Sequence, residues 1–136
     1  MSDQDQAERE REAREVLLAA GAKDLDQRPW QMGAMPPSAI DLVQFFLWHS
    51  RTTAFGEGAE RDQTLTGEVE AALQLLSAAR AEIDQLETGL LFAARGLGLT
   101  WAQMATALGL NSPQACQQRL DRLTSRGSRP AEGLAP

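Results

Sequence analysis

Residues 98–120 read GLTWAQMATALGLNSPQACQQRL and carry start and stop signals for two short helices and the turn between them. Thr100 stands at an N-cap position with Gln103 three residues on, the reciprocal Thr-x-x-Gln pairing of a capping box. Trp101, Met104, Ala105 and Leu108 then share one face, and Gly109 supplies the left-handed residue that ends the helix. Leu110 is placed to plug the corner. Ser112 caps the next helix, with Pro113 at its first position, where a missing N–H costs nothing. Cys116, Leu120 and Leu123 recur at i, i+4 and i+7, so they face inward and the thiol reads as a small core group, not a nucleophile.

The opposite side of that second helix has a different chemistry. At about 100° per residue, Gln114, Gln117, Gln118 and Asp121 point away from the apolar stripe, with Arg119 and Arg122 on its flanks. Glutamine can bond adenine N6 and N7 together, and arginine can read guanine or hold phosphate. A surface built for solubility alone tends to carry Glu and Lys. Asp121 is the awkward member, since it repels phosphate unless it accepts from cytosine N4. The helix N-terminus and the neighbourhood of Thr100 add backbone N–H groups suited to phosphate.

The run GLTWAQMATALGL resembles the helix-turn-helix of bacterial transcription regulators, particularly the trihelical form of the −35-reading region of sigma factors. Ala105 is the small residue where the two helices touch, Gly109 lies in the turn, and Cys116, Leu120 and Leu123 match the inner face of the recognition helix. The resemblance covers residues 90–124, with LLFAARGLG as the supporting first helix. It departs at LNSP, which makes the turn about one residue longer than the commonest spacing. It implies a sequence-specific regulator that binds double-stranded DNA through residues 112–123 in the major groove. The residues expected at the DNA are Thr100, Ser112, Gln114, Gln117, Gln118, Arg119, Arg122 and Arg126.

Net charge stands against that implication until it is divided along the chain. The 136 residues sum to −6, with a pI near 4.8. Residues 1–89 hold 8 basic and 17 acidic side chains, whereas residues 90–136 hold five arginines against Asp121 and Glu132, a local +3. Phosphate responds mainly to the field within about 8–10 Å at physiological salt, so the local sign matters more than the total.

Outside this segment the chain reads as helix and linker. Residues 3–20 combine helix formers with opposite charges three or four apart, and Gly21 is a stop signal. They form either a solvated helix or a frayed acidic arm. Residues 21–37 read as a linker whose Trp30, Met32 and Met35 are expected to pack back onto the core. Ser38 opens a helix to about Ser50, with Asp41 completing a near-capping box. Ile40, Val43, Phe46 and Leu47 share its inner face, widened by Leu42, Phe45 and Trp48. A loop follows at 51–64; its Gly56 and Gly58 lack the Walker spacing and the Lys-Ser/Thr of a phosphate cradle.

Val69, Ala72, Leu76, Ala79, Ile83, Leu86, Leu90, Ala93 and Leu97 then step by threes and fours as an a/d seam. Thr88-Gly89 interrupts it, which predicts a bend or two helices, about 66–87 and 88–97. The seam is either an intramolecular core or the contact of a homodimer. The tail after Leu123 has no apolar periodicity and leaves no room for a β-wing.

The expected architecture is all-α: a small helical bundle ending in a trihelical helix-turn-helix without a wing. Its parts are an acidic N-terminal helix or arm and Pro-containing linker at 1–37, a helical core and dimerisation segment at 38–89, the helix-turn-helix at 90–124 and a disordered tail at 125–136. No catalytic constellation, metal-ligand cluster or cofactor motif is legible. Cys116 and His49 are single, and His49 reads as a helix-terminal residue with no partner carboxylate motif. No apolar run nears the roughly 18 residues that cross a bilayer, and the polar, charged start is unlike a signal peptide, so a cytoplasmic protein without membrane contact is expected. The alternative to DNA binding is a protein-interaction adaptor that contacts RNA polymerase, a sigma factor or another regulator.

Overall fold

The computed structural model describes residues 2–27, 31, 33, 35–52 and 58–132, with backbone alone at 59 and 126–132. Among the described residues the chain forms six α-helices and one short 3-10 turn, with no strand. None of these helices is long and apolar enough to cross a membrane. The helices belong to two compact units, residues 1–82 and 83–136.

In the first unit α1 spans Asp3–Ala20, and a capping box between Ser2 and Asp5 starts it. It is not an arm: Ala13 and Leu17 are fully buried, and Arg14 donates to the Pro37 carbonyl at 3.0 Å. Gly21 ends α1 at φ 136°, where a Cβ would stand 3.2 Å from the Phe45 ring, so both the backbone and the packing ask for glycine. The 3-10 turn Ala22–Asp24 follows. Trp30 and Met32, expected to pack inward, lie outside the described residues, and Met35 is exposed, against that expectation. Met35 instead lines an open cavity with Leu18, Leu25, Pro36 and Pro37, outside the core closed by Leu17, Leu42 and Leu75.

Helix α2 is Ala39–Thr52 and α3 is Ala59–Gln74. Ser38 accepts the Asp41 N–H at 3.1 Å, as a cap should. Two further amides at this helix start, of Ala39 and Ile40, donate to the two carboxylate oxygens of Glu82 at 2.8 and 3.1 Å. The buried face of α2 is Ala39, Leu42, Phe45 and Phe46, a rotation from the expected one, and Leu47 and Trp48 are exposed. Eight apolar residues on fourteen positions leave the choice of face to the partners, and α1 and α3 take the side carrying Leu42 and Phe45.

The long seam divides differently from the expectation. α3 begins at Ala59, inside the expected loop, and α4 runs Leu76–Gly96 straight through Thr88-Gly89. The break falls at Leu75, which is fully buried and draws the chain into the first core. One glycine costs a helix about 1 kcal/mol, less than burying a leucine gains, so packing decides where the helix turns.

Candidate functional site

The second unit contains the end of α4, then α5 (Trp101–Leu108) and α6 (Pro113–Glu132). Thr100 Oγ1 accepts the Gln103 N–H at 3.1 Å, and Gln103 Oε1 accepts the Thr100 N–H at 2.8 Å. Gly109 adopts φ 72°, ψ 24°, and its N–H reaches the Thr106 carbonyl at 3.1 Å. The Leu110 N–H bonds the Ala105 carbonyl at 2.8 Å, which completes a Schellman-type ending and turns Leu110 toward the cluster. Ser112 Oγ accepts the Ala115 N–H at 3.1 Å at the start of α6. Both caps and the glycine ending read in residues 98–120 thus correspond to bonds.

These elements close around Leu91, Met104, Ala105, Cys116 and Leu123, with Ala94, Leu99, Trp101, Leu110 and Leu120 packed against them. Cys116 is fully buried, as its place on the apolar stripe predicted. Leu108 is the exception. It lies at the last position of α5 and is exposed, unlike Met104 and Ala105 of the same expected face.

The other side of α6 is polar and open. Gln114, Gln117, Gln118, Asp121 and Arg122 are all exposed. Arg119 is half-buried and its Nε is ion-paired to Glu87 Oε1 of α4. It therefore braces α6 against α4 as well as bordering the face. Thr100 and Ser112 already use their hydroxyls as caps. The Arg126 side chain lies outside the described residues, although α6 continues to Glu132, past the point where a disordered tail was expected.

Two bracing groups were missed in the sequence. Glu87 gives no local signal for a partner on α6. Arg95 places its guanidinium 5.0 Å over the Trp101 ring and donates from Nη1 to the Leu99 carbonyl at 2.9 Å, across the Gly98 turn. Both acidic residues Asp84 and Glu87 fall in this unit, so residues 83–136 sum to +1, below the +3 counted from residue 90. The face offers three glutamines and Arg122, with Asp121 between them.

A second chemical feature lies in the first unit. Glu68 is the one buried charged residue among those described, and its Oε2 lies 3.3 Å from His49 Nε2 without hydrogen-bond alignment. Phe45 stacks on the His49 ring at 5.2 Å between centroids. No local spacing pointed to this carboxylate, because it comes from the next helix. Among the described residues no group of three His, Cys, Asp or Glu could hold a metal ion.

Comparison with protein-family models, curated proteins and solved structures finds no match for this chain.

Proposed function

We propose that the chain is a sequence-specific DNA-binding transcriptional regulator, a trihelical helix-turn-helix protein without a wing that acts as a dimer and inserts α6 into the major groove. The observation that carries this reading is the division of α6. Cys116, Leu120 and Leu123 hold one side in the cluster, while Gln114, Gln117, Gln118 and Arg122 stand exposed on the other. Exposed glutamines on a braced helix add nothing to the core, yet their amides suit adenine edges. Arg122 is in position for guanine or phosphate.

Asp121 and the Glu87–Arg119 pair favour a second reading, an adaptor that presents the same face to a protein of the transcription machinery. Retention of genomic DNA fragments across a salt series separates the two. The DNA-binding reading expects selective, salt-sensitive retention. Replacing Gln117, Gln118 and Arg122 together with alanine should abolish the selectivity, and Arg122→Ala alone should cost about 1–3 kcal/mol if it reads a base, or lower the salt slope by about 1 if it holds phosphate. Absence of salt-sensitive retention by the unaltered chain overturns the DNA reading and leaves the adaptor.

A further inference from the structure

Along α4 a second apolar stripe lies beside the one that holds Leu91 and Ala94 in the cluster. Ile83, Leu86, Leu90 and Ala93, with Leu97 one residue past the helix end and still bonded to the Ala93 carbonyl, follow a 3-4-3-4 spacing, yet they are not covered: exposure is 54% at Ile83, 63% at Leu86, 71% at Leu90 and 83% at Leu97. A stripe at this spacing is a coiled-coil seam and needs a second helix. Gly89 and Gly96 run along one edge of it. A Cβ added at either would meet nothing within 4 Å, so the chain's own packing does not call for glycine at these helical positions. Glycine is a poor helix former, and its use along an open seam fits a backbone that another helix approaches closely.

We infer that this stripe is the contact between two copies of the chain, with α4 paired antiparallel to α4 of the second copy. The inference rests on the dimeric form of the function proposed above, supplies its interface and makes no use of the outer face of α6. Self-complementarity selects a second copy as the occupant of the stripe. The spacing Leu86, Leu90, Ala93, Leu97 reads 4-3-4 from either end, as a two-fold contact requires. Antiparallel pairing centred between Ala93 and Leu90 sets Leu86 against the partner's Leu97 and Leu90 against the partner's Ala93. Large then meets small at the centre, and Gly89 meets the partner's Gly96 at the edge. Parallel pairing would instead stack alanine on alanine beside leucine on leucine and leave a gap.

The area is sufficient. With roughly 200 Å² for a fully exposed leucine or isoleucine, the stripe offers about 500 Å² on each copy and about 1,000 Å² for the pair, the lower limit of a specific interface. A dimer held by this stripe is therefore concentration-dependent, and self-association should be visible across roughly 1 µM to 1 mM.

Sedimentation equilibrium of the full chain over that range tests the inference. A reversible dimer is expected. Leu90→Glu should weaken it at least tenfold with an unchanged helical circular-dichroism spectrum, since Leu90 is open in one copy. Gly89→Leu should weaken it similarly while favouring the helix, which separates a lost contact from a lost fold. For orientation, a double Leu86→Cys, Leu97→Cys variant should form a disulfide-linked dimer on oxidation. Neither single variant should, because like positions lie roughly 16 Å apart along antiparallel helices. The buried Cys116 does not compete.

A chain monomeric across the whole range overturns the inference, as does a Leu90→Glu variant that dimerises as tightly as the unaltered chain. Cross-linking by a single variant overturns the antiparallel arrangement. A dimer of the unaltered chain that retains no DNA removes the proposed function and leaves the interface standing. DNA retention by a monomer does the reverse.

Discussion

Glu82 lies more than forty positions from the helix it caps, yet both of its oxygens take amides at the start of α2. A carboxylate there gains from the positive end of the helix and from two charge-assisted bonds. Glu82→Ala leaves those amides without that acceptor and should cost about 1–2 kcal/mol. For a unit of this size each kcal/mol lowers the melting temperature by about 4–8 °C, so thermal denaturation followed by circular dichroism reads the effect directly. An unchanged melting temperature would show that Ser38 and water suffice. At this scale legibility depends on reach. Thr100 with Gln103, Gly109 and Ser112 were readable because both partners lie within a turn of sequence. Glu82, Glu87 and Glu68 were not, since a carboxylate's use depends on what another helix brings to it.

Among the elements, the seam from Val69 to Leu97 is the clearest case of a pattern with two destinations. Its earlier part contributes Ala72 and Ala79 to the first core, and its later part stays exposed. Leu75, off the a/d register, is fully buried and marks the break between α3 and α4. Leu75→Ala should therefore cost about 2–5 kcal/mol, whereas Leu90→Ala should stay within about 0.5 kcal/mol when urea unfolding is measured at low micromolar concentration, where self-association contributes least. Equal costs would mean that the later stripe is buried within a single chain. Periodicity marked the apolar positions of these helices correctly. It did not say which stripe meets which neighbour, and α2 turned a different face inward for the same reason.

At the scale of the molecule the described residues form two cores, one built on Leu17, Leu42 and Leu75 and one on Leu91, Met104 and Cys116. Amide hydrogen exchange should therefore report two opening free energies. Leu75→Ala should speed exchange in α1 to α3 and leave the amides of α5 and α6 unchanged, as separate cooperative units do. Uniform acceleration across the chain would mean a single cooperative fold. By itself the sequence determined the helical class, the caps, the glycine endings and the inward turn of Cys116, because each follows from backbone geometry and contacts a few residues apart. Only the tertiary structure decided that α1 is core and not arm, that α4 passes through Gly89, that Arg119 is tied to Glu87, and that the seam is open from Ile83 onward. Those outcomes depend on which of several apolar and charged surfaces, distant in sequence, gain most by meeting, and no local spacing encodes that competition.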